Sequence, residues 1–324
     1  SERRDANGRR RVPSRPGSTM SPLPTGLRQQ VEAELHARGD GIRAVDRISG
    51  GSINHGARLE TARGKHFFLK WHPAAPSGMY PAEAEGLEAL RTAVERRGRD
   101  SRRVRVPDVI AIGNDEAGPG WLLMEFIAPD AGAPRADASL GASLAEIHDS
   151  LPPGDFGFGH DNWIGSLPQD NASSPSWGEF WRDRRIVPQL DRAHASGQLG
   201  ASALDDLPHR IVPALRDVTR NELLHGDLWS GNTYLADTGD PVLIDPAVYA
   251  GDGEVDLAMT ELFGGFDAGF YEAYRERRPV SLAYEAYRRD LYQLYYLLVH
   301  VNLFGASYVS RALRAGQRVL SALG

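Results

Sequence analysis

Apolar positions recur with a helical period over Leu27 to Ala37, where Leu27, Val31 and Leu35 lie about a turn apart, and the period then shortens to two. Ile42 to Ile48, Ile53 to Thr61 and Lys65 to Trp71 are expected strands, and Gly50-Gly51 and Arg63-Gly64 between them mark an antiparallel meander. A helix should follow, because Pro81 suits a first turn and Glu83, Leu87, Leu90 and Val94 recur at helical intervals. One carboxylate, Glu83, therefore shares the apolar stripe, whereas Glu85 points elsewhere. Two further strands, Val109 to Gly113 and Trp121 to Ile127, run into the breaker-rich Ala128-Pro129-Asp130-Ala131-Gly132, which closes a β-rich first lobe.

From Leu140 onward the pattern is mostly helical, over Leu140 to Ser150, Trp177 to Ala195, Leu204 to Val218, Val255 to Phe263, Phe270 to Arg277, Leu282 to Leu303 and Ser307 to Leu323. Pro213 should kink or split the third of these. Short strands near Thr233 to Ala236 and Val242 to Ile244 interrupt the helices, and there is no internal repeat.

At 324 residues the chain is long for one domain of roughly 150 residues, so two domains or one bilobal unit is expected. Hydrophobic residues at 41% and charged residues at 25% exclude a wholly disordered, collagenous or membrane-embedded chain. No apolar run approaches the ~20 residues that span a bilayer, so no membrane partner is expected. The absence of cysteine excludes a disulfide framework, a zinc-thiolate site and a thiol nucleophile. Residues 1–23 mix Arg, Pro, Ser and Gly without periodicity and read as a disordered tail. No apolar stretch follows its basic residues, as a secretory signal would require, so a cytoplasmic location is expected. The first 20 residues carry a net +4 of the total −6, which leaves −10 on residues 21–324 and argues against nucleic acid as a partner. Nothing in the sequence sets an oligomeric state.

The densest chemical signal is His225-Gly226-Asp227-Leu228-Trp229-Ser230-Gly231-Asn232, followed by Ile244-Asp245-Pro246. An acid in a loop, then an amide, then a second acid is the order used in kinase-type phosphoryl transfer. If Asp237 to Asp240 form a four-residue hairpin loop, Ala236 opposes Pro241 and Asn232 opposes Asp245, so both can face one divalent cation. So few protein oxygens, with phosphates and water completing the shell, suit Mg2+ rather than zinc. Asp227 is then free to accept or orient the proton of an attacking hydroxyl. Alone it would read as an Asp capping its own turn, and Asn232 and Asp245 reverse that preference. His225 is expected to hold the loop rather than to act as a base.

Lys70 is the second signal, since Lys65 and Lys70 are the only lysines among 37 basic residues. A compact ammonium at the end of a strand could reach nucleotide phosphates while Glu83 orients it; the plainer alternative is an exposed strand-end lysine. Ser49-Gly50-Gly51-Ser52 lies between two strands, as a phosphate-covering hairpin or a plain turn. The backbone of Glu125 and Ile127, where an apolar strand enters the connection, could face adenine. Asp256, preceded by Asp252 and Glu254, should open a helix; a local capping role is favoured over bracing the catalytic loop. Trp177 and Trp181 read as core, whereas Trp229, inside the acidic loop, could stack on a sugar.

His225 to Asn232, Asp245-Pro246-Ala247, Tyr249 to Asp256 and Phe263-Gly264-Gly265-Phe266 resemble the fructosamine kinase (ketosamine-3-kinase) family, and Gly50-Gly51-Ser52-Ile53 and Glu83 to Leu90 look similar too. The likeness runs from about Leu27 to the C-terminus and is most specific between His225 and Phe266. It implies an α+β, bilobal protein-kinase-like fold: an antiparallel five-stranded sheet plus helix in a nucleotide-binding N-lobe over residues 24–127, and a mostly helical C-lobe over 128–324 with the catalytic loop and acceptor site. By resemblance, Asp227 is the catalytic acid, Asn232 and Asp245 are Mg2+ ligands, Lys70 is the ATP-phosphate contact paired with Glu83, and Asp256 is a loop brace. The implied reaction is phosphorylation of the sugar 3-hydroxyl of a free or protein-bound ketosamine, after which the adduct falls apart. Rival expectations are the same fold acting on an aminoglycoside or amino alcohol, and a silent ATP-binding protein. Some relatives carry a redox-responsive Cys where this chain has Ser52, so that control is expected to be absent.

Overall fold

The two-residue alternation of the first half becomes a five-stranded antiparallel sheet in the computed structural model, which describes residues 23–48, 54–96, 104–113, 119–130, 132, 137–200 and 202–324. Helix α1 (Thr25–Ala37) leads into β1 (Ile42–Ile48), β2 (His55–Thr61) and β3 (His66–His72); α2 (Met79–Glu95) follows, then β4 (Val109–Ile112) and β5 (Gly120–Glu125). The strand order is β1-β2-β3-β5-β4. Gly50, Gly51 and Ser52 lie outside the described residues, as does most of the segment read as a tail. Leu23, assigned to that tail, instead packs in the first-lobe core, because its side chain extends the apolar stripe of α1 by one more turn.

The two faces of the sheet are covered by different helices. Leu69, Trp71, Trp121 and Leu123 pack with Leu27, Val31 and Leu35 of α1, each such aliphatic side chain contributing about 1.5–3 kcal/mol of burial. Leu122 and Met124 point the other way, into a core shared with Leu87 and Leu90 of α2. Lys70 lies between Leu69 and Trp71 and opposite Leu122, so the pleat delivers its ammonium to the α2 side.

The second lobe comprises α3 (Ala138–His148), β6 (Asn162–Ile164), β7 (Leu167–Gln169), α4 (Trp177–Trp181), α5 (Val187–Ala195), α6 (Leu207–Ala214), β8 (Glu222–Leu224), β9 (Thr233–Leu235), β10 (Pro241–Leu243), β11 (Tyr249–Gly251), α7 (Glu254–Phe263), α8 (Ala268–Arg277), α9 (Arg289–Phe304) and α10 (Val309–Leu323). The expected helix Trp177 to Ala195 is continuous but carries a π-turn at Arg182–Ile186, and Tyr284–Arg288 forms another ahead of α9. Helix α6 spans Leu207–Ala214 rather than Leu204 to Val218, with Pro213 inside its last turn. Helix α9 is the lobe's centre; Tyr292, Tyr295 and Tyr296 are buried on it beside Leu291, Leu294 and Leu298. Trp177 and Trp181 are core residues. No helix among the described residues is long and apolar enough to cross a membrane.

Candidate active site

Lys70, almost fully buried, donates to both carboxylate oxygens of Glu83 at 2.8 Å and lies 3.1 Å from Asp245 Oδ1. Burial works against the ammonium, but the charges of Asp245 and Glu83 outweigh it and hold its pKa above the ordinary lysine value. The exposed-lysine alternative is therefore excluded by geometry. A strand of the first lobe, the helix behind it and a turn of the second lobe are joined through one cation.

The turn carrying Asp245 differs from the register read in the sequence. Pro241 pairs with Leu235 and Leu243 with Thr233, so the strand partner of Asn232 is Ile244, whose N–H donates to the Asn232 carbonyl at 3.1 Å. The loop takes in Ala236, whose N–H bonds the Asp240 carbonyl at 2.8 Å, and this extra residue moves the pairing by one. Asp245 compensates with a left-handed backbone, φ 54°, which brings its carboxylate to Lys70 and its carbonyl 3.4 Å from Asn232 Nδ2.

Asn232 Nδ2 also donates to the carbonyl and Oδ2 of Asp227, at 2.9 and 3.1 Å. With its NH2 group occupied, Asn232 has its amide oxygen to offer a cation. Asp227 stands partly exposed at the cleft. Burial, then the neighbouring Asp245 charge, pushes its carboxyl up to about 7. The Asp245 carboxylate beside the Asn232 amide oxygen is a hard oxygen donor set suited to Mg2+. Among the described residues no group of three His, Cys, Asp or Glu could cage a metal unaided, so the phosphates would have to complete the shell.

The loop is held from below by Asp256. Its fully buried carboxylate accepts from His225 N at 2.7 Å and Gly226 N at 2.9 Å. The favoured local capping role gives way, since Asp252 Oδ1 accepts from Glu254 N at 3.1 Å and leaves Asp256 to reach across. His225 is also buried: Nε2 lies 3.0 Å from the Ile244 carbonyl and Nδ1 accepts from Asp227 N at 3.3 Å. Both ring nitrogens are occupied and burial lowers its pKa, so His225 serves as a neutral scaffold. Gly226 has φ 81°, and a Cβ there would lie 2.0 Å from the Ala247 carbonyl oxygen.

The sequence did not single out His148 and Tyr274, which complete this support. His148 Nε2 meets Asp256 Oδ2 at 3.2 Å and Nδ1 meets the Tyr274 hydroxyl at 2.8 Å. A histidine at the end of an apolar helix carries no signal of such a role. Trp229 remains 39% exposed beside Asp227, its ring edge-on to Phe263. At the lobe connection, Glu125 N donates to the Asp108 carbonyl at 2.8 Å and the Ile127 carbonyl accepts from Tyr234 at 3.0 Å. Of the backbone groups proposed to face adenine, one donor and one acceptor already have internal partners. Beneath them Ile127, Val242 and Ala236 form a small apolar cluster with Tyr234 and Ile244.

A buried ammonium, an acid-amide-acid set and a braced catalytic loop in a bilobal kinase-like fold define a phosphotransferase. The chain belongs to the fructosamine kinase family, whose model matches residues 27–322, and is an ATP-dependent enzyme of that class. It is 39% identical over 270 residues to a probable ketoamine kinase of Synechocystis sp., covering 82% of this chain and 86% of the relative. It is 38% identical over 279 residues to the chloroplastic protein-ribulosamine 3-kinase of Arabidopsis thaliana, covering 84% and 81%. A crystal structure from Thermobifida fusca assigned to fructosamine-3-kinase superimposes with a TM-score of 0.77 at 33% identity, over 90% of this chain and 98% of that one. An aminoglycoside phosphotransferase shares the fold at a TM-score of 0.56 and 15% identity, over 92% of this chain and 98% of that one.

Proposed function

We propose that this enzyme transfers the terminal phosphoryl group of ATP to the sugar 3-hydroxyl of ketosamines, free or protein-bound, as a step in deglycation. The observation that carries the reading is the convergence of Lys70, Glu83, Asp245, Asn232 and Asp227 from two lobes, in a chain whose relatives are named ribulosamine and ketoamine kinases. Asp227, as the carboxylate, orients the acceptor hydroxyl and receives its proton as the new P–O bond forms. Lys70 contacts the nucleotide phosphates from a position that Glu83 already fixes. Asn232 and Asp245 hold Mg2+, which supplies neutralisation of the phosphate charge when bound. The Glu125 carbonyl and Ile127 N–H face the base, and Trp229 offers its ring to the sugar. Most of the rate enhancement is positioning and charge stabilisation.

The test is a panel of fructosamines, ribulosamines, aminoglycosides and amino alcohols with ADP release as readout and NMR assignment of the phosphorylated carbon. A ketosamine phosphorylated at O3 is expected to dominate. Preference for another acceptor, or nucleotide binding with no acceptor-dependent ADP, refutes the proposal.

A further inference from the structure

In protein kinases both the Lys–Glu pair and the metal-binding acid must be in place, and the helix bearing the Glu and the segment after the acid are the parts that regulation moves. In this chain the corresponding parts are tied to a short hairpin. β6 and β7 pair Asn162 with Gln169, both buried polar residues. Asn162 Nδ2 donates to the Val248 carbonyl at 2.8 Å, and Gln169 Nε2 donates to Asn162 Oδ1 at 2.7 Å and to the Ala247 carbonyl at 3.4 Å. Tyr295 of α9 closes the set, its hydroxyl donating to Gln169 Oε1 at 2.6 Å. Two side-chain amides thus hold consecutive carbonyls just beyond Asp245-Pro246. The Ala247 N–H faces the catalytic loop, donating to the His225 carbonyl at 2.8 Å.

The same hairpin reaches α2. A Cβ on Gly78, the residue before that helix, would lie 3.3 Å from the Trp163 ring of β6, and His160 meets Glu85. Gly86, one turn beyond Glu83, packs so closely that a Cβ there would lie 3.2 Å from Val248 Cγ2 and 3.5 Å from Pro246 Cγ. Helix, hairpin and turn form a closed circuit around Lys70.

We infer that the β6–β7 hairpin is a built-in strap for the competent arrangement, with Asn162 and Gln169 as positioning residues that fix the Asp245 turn and keep Glu83 beside it. Neither residue touches the reacting atoms. The strap makes the active geometry the ground state, with no activating modification required. The inference rests on the phosphotransferase class alone, not on the acceptor proposed above.

Gln169→Leu removes the amide while keeping much of the side-chain volume. In hydrogen exchange of the nucleotide-free enzyme, the 245–249 amides are expected to exchange on the order of tenfold faster, the scale of one lost buried hydrogen bond, while α10 is unchanged. With any acceptor that supports ADP release, KM for ATP should rise and kcat fall, with the acceptor KM unmoved. Asn162→Leu should act in the same direction, and the double variant should show less than the sum, because both residues hold one segment. Tyr295→Phe, which frees Gln169 without disturbing the core, should give the same pattern at smaller size and decides the matter if the Leu variants fail to fold. Unchanged exchange at 245–249 with unchanged KM for ATP overturns the inference, and so does an equal rise in exchange across α10, which would mean a merely structural role. Because exchange is read without nucleotide or acceptor, its failure is separable from failure of the proposed substrate.

Discussion

Asp256 is the residue whose removal tests the construction of the site most directly. Its carboxylate is fully buried and takes hydrogen bonds from His225 N, Gly226 N and His148 Nε2. Asp256→Ala leaves these three buried donors without an acceptor, at about 1–3 kcal/mol each, so a loss of roughly 3–9 kcal/mol is expected. Against a typical total of about 5–15 kcal/mol, that variant should be only marginally folded. Asp256→Asn keeps one oxygen and turns an NH2 toward one of the donors, so roughly 1–3 kcal/mol is expected and the fold should survive. Its informative readout is kinetic. The backbone of His225 and Gly226 sets where Asp227 stands, and a displacement of about 1 Å is enough to lower kcat about a hundredfold. KM for ATP should change little, because Lys70 and Glu83 belong to other elements. Urea unfolding gives the stability term and steady-state ADP release gives the kinetic one. Wild-type kcat in a folded Asp256→Asn enzyme would refute the bracing role, and equal stability of the Ala and Asn variants would refute the count of donors.

Asp227→Ala should lower kcat by about 10²–10⁴, the usual contribution of a positioned base, while calorimetry still shows nucleotide binding. Lys70→Met strands the largely buried Glu83 carboxylate and should destabilise by about 3–5 kcal/mol in thermal or chemical unfolding; adding Glu83→Leu should recover much of the stability and none of the activity. Gly226→Ala should abolish turnover and lower the unfolding midpoint sharply, since the new Cβ meets the Ala247 carbonyl at 2.0 Å in a left-handed backbone. Trp229→Ala should raise the acceptor KM and leave KM for ATP unchanged, because the half-exposed ring packs edge-on to Phe263 of the second lobe.

The first lobe was largely legible because β1, β2 and β3 run for seven residues each, rich in β-branched and aromatic side chains and divided by glycine-marked turns, although their burial does not alternate strictly. Four strands of the second lobe escaped notice, β6, β7, β8 and β11, and each is three residues long. Such segments hold no full period, and their pairing is set by distant partners, as with Leu224 against Tyr249. The hairpin register was misjudged by one residue because a turn's length depends on its backbone angles, which a run such as Asp237-Thr238-Gly239-Asp240 leaves open.

Residue types and local spacing by themselves determined the elements of the first lobe, the acidic loop and the pairing of a rare lysine with a carboxylate on the next helix. Those are short-range facts, written in periods of two and of 3.6. Only the tertiary structure decided between bracing and capping for Asp256, which carbonyl the ring of His225 meets, and that Asn162 and Gln169 donate to the carbonyls beyond Asp245. Each of those roles depends on which buried donor finds which acceptor across 19 to 86 residues of chain. Burial makes an unpaired polar group expensive, so packing, and not local sequence preference, assigns the partners.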